Sequence, residues 1–163
     1  DFDLSQHTKH SGKDLTVHDE ALKLSYTPHV VECSVGVDRL LLTILCDAYT
    51  EDLVDGEPRV SLRLAPKLAP ITAAILPLTK KQSEQTEKIY LELKKKGFVV
   101  QLDESGSIGK RYRRQDEIGT PICITYDFES DQDSCVTIRD RDTLQQERIK
   151  AADCLQVVRD KVS

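Results

Sequence analysis

The chain has 163 residues, 39% of them hydrophobic and 31% charged, with a formal net charge of −5. A chain of this length can bury a sizeable core, but no apolar run approaches the roughly 18 residues of a membrane span, and no signal-peptide pattern opens it. Net acidity of this kind argues against a generic nucleic-acid coat.

Residues 1–25 are polar and weakly patterned, with His7, Lys9, His10, Ser11, Gly12 and Lys13 crowded together, and they read as loop. No methionine occurs anywhere in the chain, so Asp1 is expected not to be a translation start. Residues 29–34 form an apolar run broken only by Glu32, the pattern of a buried strand. Gly36 follows, and then the leucine-rich run 40–48 predicts a buried helix. Asp55-Gly56-Glu57-Pro58 carries turn chemistry, and residues 60–64 alternate as a short strand. Pro66 and Pro70 bracket a linker, which places a domain boundary between residues 66 and 67.

Beyond the linker, strands and helices alternate. Residues 71–76 read as an apolar strand closed by Pro77. The helix predicted over 81–96 turns Ile89, Tyr90 and Leu93 inward and stops at Gly97. Residues 98–102 form a second strand, and 107–118 a second helix, ended by Gly119. A third strand is expected over 121–127 and a fourth over 135–141, joined by an acidic connection. Asp142 and Gln145 have capping-box spacing, which opens a last helix striped by Leu144, Ala151, Leu155, Val158 and Val162. Four strands interleaved with three helices imply an α/β domain with a parallel or mixed sheet.

The charge is unevenly spread. Residues 1–69 hold 7 basic and 12 acidic side chains, whereas residues 70–163 hold 16 of each. Within the neutral part, Lys110, Arg111, Arg113 and Arg114 cluster around Tyr112, and Asp127, Glu129, Asp131 and Asp133 cluster elsewhere. The basic cluster reads either as a solvated helix face or as a docking patch for a phosphate backbone. The five cysteines (Cys33, Cys46, Cys123, Cys135, Cys154) show no C-x-x-C pair and no zinc-ligand spacing. They are expected to be reduced thiols in a cytoplasmic protein, with no metal site.

Glu32 raises the sharpest question. A carboxylate in an apolar strand costs free energy unless a cation or hydrogen-bond donor meets it. One reading leaves Glu32 in water on an edge strand. The other points Glu32 and Ser34, two apart and so on one strand face, into a pocket for an amine, with Gly36 allowing close approach and Arg39 clamping a phosphate.

With its surroundings, the stretch Pro28-His29-Val30-Val31-Glu32-Cys33-Ser34-Val35-Gly36-Val37-Asp38-Arg39-Leu40 resembles the third signature motif of class II aminoacyl-tRNA synthetases. Its Glu-x-Ser form is similar to that of the glycyl-tRNA synthetases, although Cys33 stands where that family usually has proline. The segments from Asp1 to His7 and from His10 to Leu15 resemble the stretch ahead of that motif. Leu68-Ala69-Pro70-Ile71, the run from Asp103 to Gly119, and Thr137-Ile138-Arg139-Asp140-Arg141-Asp142 are similar to the family's C-terminal domain. Together these segments cover nearly the whole chain in order.

The resemblance implies that residues 1–66 are the end of a class II catalytic domain. Residues 67–163 would then be an anticodon-binding domain, a mixed sheet of about five strands flanked by three helices. It implies glycine contacts by Glu32, Cys33, Ser34, Val35 and Gly36, and ATP contacts by Gly36, Val37, Asp38 and Arg39. It places Arg139 and Asp127 at anticodon bases and Lys110, Arg111, Arg113 and Arg114 at tRNA phosphates. The implied partners are glycine tRNA, glycine, and ATP with Mg2+ as a substrate of the parent enzyme, a homodimer without membrane contact. The first two family motifs, which supply the dimer interface and most catalytic groups, are not among these residues. The 163 residues alone are therefore expected to be inactive in aminoacylation and to bind no cofactor. The alternative of the same lineage is a catalytically dead accessory subunit that binds nucleic acid, a role for which an ATP arginine at position 39 has no use.

Overall fold

The computed structural model describes residues 1–54 and 56–162, which form two compact units, Asp1–Arg39 and Leu40–Ser163.

The first unit opens with helix α1 (Phe2–Ser11), where the loop reading of residues 1–25 fails. None of its residues is buried, so it lacks the apolar stripe that periodicity detects. Its signals are local instead. Asp3 lies in the first turn and Lys9 and His10 in the last, matching the helix dipole. Gly12 closes it at φ 67°, donating to the Thr8 carbonyl at 2.9 Å. A small hairpin follows, β1 (Val17–Asp19) against β2 (Leu24–Tyr26). Its turn is set by the Asp19 carboxylate, which accepts from the backbone N–H groups of Ala21 and Leu22. The strand expected over 29–34 does not form. Every residue from 29 to 36 is exposed and extended without a partner strand, Val31 being 92% exposed. An isolated strand has unpaired backbone groups, and among the described residues no strand lies alongside this one.

Helix α2 (Val37–Ala48) appears where the leucine run predicts it, but it is not a buried helix. Only Ala48 is buried, while Leu41 and Leu42 are 57% and 62% exposed. In the second unit the chain continues as a hairpin, β3 (Tyr49–Val54) against β4 (Glu57–Leu62). Gly56, at φ 81°, lies in its turn; Asp55, part of the predicted turn, lies outside the described residues. The period-2 reading of 60–64 located a strand, which runs over Glu57–Leu62. Arg59 and Ser61 point inward and Val60 outward, because the hairpin packs on a polar site rather than on the apolar core.

The remaining elements build one five-stranded mixed sheet. They are β5 (Ala73–Pro77), α3 (Ser83–Lys95), β6 (Val100–Leu102), α4 (Ile108–Ile118), β7 (Ile122–Tyr126), α5 (Ser130–Asp133), β8 (Cys135–Asp140), β9 (Gln146–Lys150) and α6 (Cys154–Val162). The strand order is β6-β5-β7-β8-β9, parallel across the first three strands and antiparallel across the last two pairings. One face carries Ala73, Ile75, Ile122, Ile124, Val136 and Ile138, covered by Ile89 and Leu93 of α3 and by Cys154 and Val158 of α6. The other face presents Ala74, Leu76 and Cys123 to Ile108 and Tyr112 of α4. The α/β class, the five strands and the helical flanks follow the sequence-based expectation.

The capping box expected at Asp142 is not one. Asp140 accepts from the backbone N–H groups of Asp142 and Thr143, and Leu144 adopts φ 60°, so this stretch is a turn that feeds β9. The fifth strand, Gln-Glu-Arg-Ile-Lys, sits at the sheet edge with Gln146, Glu147 and Lys150 exposed. That polar composition hides it from an apolar-period search and suits an edge.

Candidate RNA-binding site

Strand alternation decides which β8 side chains meet α4. Val136 and Ile138 belong to the α3–α6 face, so Thr137 and Arg139 take the opposite face. Cys123 on β7 and Gln146 on β9 are the register partners of Arg139. Helix α4 lies over the small residues Ala74 and Cys123, which lets its own polar residues reach β8.

The centre of this arrangement is Asp116, fully buried on α4. Its two carboxylate oxygens accept from the two terminal nitrogens of Arg139, each at 2.9 Å, a parallel fork. Nη1 of Arg59 on β4 donates to the same carboxylate at 3.4 Å and to the Arg141 carbonyl at 2.9 Å, while its Nε and Nη2 pair with Asp52 on β3. Arg139 also lies 4.7 Å from the centroid of the Tyr112 ring, a cation–π contact. The Tyr112 hydroxyl shares a 2.6 Å hydrogen bond with Thr125. Burial pushes the Tyr112 hydroxyl up, against the pull of the Thr125 hydrogen bond and of Arg139. Burial alone would lower Arg139, but the Asp116 carboxylate outweighs it and holds the guanidinium firmly charged.

A cavity of about 450 Å³ opens beside this cluster, lined by Val54, Arg59, Gly109, Tyr112, Arg113, Arg139, Leu144 and Gln146. Its walls combine an aromatic ring, three guanidinium groups and one amide, and Gly109 has nothing within 4 Å of where a Cβ would stand. A planar, polar-edged group seats well in such a space: guanidinium and aromatic planes offer stacking, and arginine N–H groups and a glutamine amide offer edge hydrogen bonds.

The residues expected at tRNA divide between this cavity and other roles. Arg139 and Arg113 line it, Arg113 also donating to the Pro58 carbonyl at 2.7 Å. Arg111 does not belong to a solvated basic face: it is buried and donates to the carbonyls of Pro77, Asp103 and Gly106, tying the ends of β5 and β6 to α4. Arg114 pairs with the buried carboxylate of Asp103. Lys110 is exposed. Asp127, at the end of β7, accepts from Arg148 at 2.9 Å and from the backbone and hydroxyl of Ser130 at 3.0 Å. Burial would raise its carboxyl, but Arg148 and Ser130 outweigh it and hold it at about 2. Sequence reasoning missed Arg59, Asp116 and Gln146. The one available signal was an arginine immediately ahead of the alternating run at 60–64.

In the first unit, Glu32 and Val30 border a cavity of about 290 Å³ with Asp3, Leu4 and His7. Cys33, Ser34, Val35 and Gly36 lie along the exposed extended segment, and Val37, Asp38 and Arg39 form the first turn of α2. Glu32 lines that cavity, and Ser34 is not among its lining residues. Among the described residues, no three His, Cys, Asp or Glu side chains converge as a metal site, and no helix is long and apolar enough to cross a membrane.

Residues 72–161 match the family model described as the anticodon binding domain. The chain is 60% identical over 149 residues to a glycine–tRNA ligase of Caldanaerobacter subterraneus subsp. tengcongensis, covering 91% of this chain and 32% of that protein. It is 52% identical over 163 residues to the glycine–tRNA ligase of Alkaliphilus oremlandii, covering 99% and 35%. The chain thus spans about a third of the length of the curated relatives it matches. Among solved structures it is similar to the RNA binding domain of threonyl-tRNA synthetase from Cryptosporidium parvum Iowa II. That match has a TM-score of 0.56 at 26% identity and covers 61% of this chain and 25% of that one.

Proposed function

The chain belongs to the anticodon-binding-domain family, and on that premise we propose that it is the tRNA-reading part of a glycine–tRNA ligase. The observation that carries this reading is the cavity in which Arg139, Tyr112 and Arg113 converge on the α4 face of the sheet. An unpaired anticodon base would stack against the Tyr112–Arg139 pair and take edge hydrogen bonds from Arg113 and Gln146. Exposed Lys110 would contribute to the phosphate backbone. Asp127 reaches a base only by exchanging Arg148 for it. On this reading residues 67–163 form the anticodon-binding domain and residues 1–66 belong with a catalytic domain.

Glycine and ATP would meet Glu32 to Gly36 and Gly36 to Arg39 only once further protein closes over them. The exposure of residues 29–36 and of the leucines on α2 supports this, because apolar side chains such as Leu41 and Leu42 lower their free energy when covered. Magnesium would arrive with ATP as substrate. The 163 residues alone would then hold the tRNA anticodon without charging it, in a cytoplasmic, homodimeric parent enzyme.

Fluorescence anisotropy with the anticodon stem-loop of glycine tRNA tests the reading. The chain should bind it, Arg113→Met should weaken binding about tenfold, and no glycyl-tRNA should form when full-length tRNA, glycine and ATP-Mg are supplied. Equal affinity for an unrelated hairpin of the same length would refute it.

A further inference from the structure

The matched domain starts at residue 72, yet the cavity does not end there. Val54 at the end of β3 and Arg59 on β4 are among its lining residues. The hairpin they come from is fastened to the same cluster that fixes Arg139. Arg59 donates to the Asp116 carboxylate that holds Arg139 and to the Arg141 carbonyl at 2.9 Å. Arg113, across the cavity wall, returns a hydrogen bond to the hairpin at the Pro58 carbonyl, 2.7 Å. Arg141 in turn donates to the Leu64 carbonyl at 2.8 Å just past β4. At the far end of α4, a Cβ on Gly119 would stand 2.9 Å from the Leu62 carbonyl oxygen, so helix and hairpin touch along their length. Hydrophobic docking does not require this polar stitching, and Arg59 is almost fully buried within it, at 2% exposure. A buried arginine that shares its carboxylate with a second arginine restricts both guanidinium groups.

We propose that the β3–β4 hairpin, which lies ahead of the matched domain, is a working part of the RNA site: Val54 bounds the space for an unpaired base, and Arg59, through Asp116, positions Arg139. The inference rests on the reading of this cavity as a base site. Arg59 acts here as a positioning residue, and Val54 as the limit on what the cavity admits.

The test measures the affinity of the full chain for two RNAs: the glycine-tRNA anticodon stem-loop, and the same loop with abasic sites at the anticodon. The wild-type chain should prefer the intact loop by about tenfold, the worth of one stacked base. Val54→Trp, which fills the cavity while leaving every ion-pair partner in place, should abolish most of that preference while leaving the melting temperature and the abasic affinity unchanged. Arg59→Met should reduce the preference as well and shift the guanidinium NMR signal of Arg139. A purely structural hairpin predicts loss of stability in Arg59→Met with the preference intact in both variants, and that result overturns the inference while leaving the base site standing. No preference in the wild-type chain overturns the base-site reading itself, and the role of the hairpin with it.

Discussion

Replacing Asp116 with asparagine keeps the shape of the side chain and removes one charge from a buried ion cluster. The cost falls unequally on its two partners. Arg59 keeps Asp52 and the Arg141 carbonyl, so it stays compensated. Arg139, whose side chain is 9% exposed, keeps the face of Tyr112 and at most one hydrogen bond, to the asparagine amide oxygen, and loses its ion pair and the second 2.9 Å bond. Leaving one buried charge without its partner costs about 3–5 kcal/mol, which for a chain of this size lowers Tm by about 10 °C. Urea denaturation followed by circular dichroism measures the change. The decisive comparison is the double variant Asp116→Asn with Arg139→Met. Removing both charges leaves no unpaired ion, so the pair should recover most of the lost stability, although RNA binding should not return. A loss below about 1 kcal/mol in Asp116→Asn, against that expectation, or a double variant no more stable than the single one, would refute the reasoning.

Gly119→Ala should destabilise by about 2–3 kcal/mol, combining a left-handed φ of 88° with a Cβ placed 2.9 Å from the Leu62 carbonyl; thermal melting reads this directly. Asp127 and Asp140 are held at about 2, the first by Arg148 and Ser130 and the second by Lys161 and the backbone N–H groups of Thr143 and Asp142, in each case against burial. Depressed carboxyl groups contribute stability that is full above the unfolded value and is lost as pH falls toward the folded one. Stability should therefore drop between about pH 4 and pH 2 by about 1 kcal/mol per group once solvent screening is allowed for, and Asp127→Asn should flatten part of that slope in urea titrations. Burial pushes the thiols of Cys123 and Cys154 up to about 12, whereas Cys33 and Cys46 are exposed. A thiol reagent at pH 8 should modify the exposed pair within minutes and leave Cys123 and Cys154 protected until the protein unfolds.

Local, repeating signals made much of this fold legible in the order of its residues. Apolar runs bounded by Pro and Gly located β5 and β7, an acidic connection marked the start of β8, and glycines at 97 and 119 marked the ends of α3 and α4. The ordered motifs from Pro28 to Asp142 carried the family resemblance. Helix α1 and strand β9 escaped because one has no buried face and the other lies polar at an edge, so neither shows the periodicity that burial imposes. The run 29–34 misled for the converse reason, since its apolar residues are exposed and no strand among the described residues pairs with it. The candidate site shows the same division. Arg139 was legible from its motif, and Arg113 from the basic run on α4. Their partners were not, because Arg59, Asp116 and Gln146 stand far apart in sequence and meet only when α4 lies across the sheet and the hairpin folds against it. Which of the four clustered basic residues faces a cavity and which is spent on a carbonyl, as Arg111 is, depends on where the backbone leaves unpaired acceptors. Only the tertiary structure decides that, because hydrogen-bond geometry is fixed by the packing of elements and not by the order of residues.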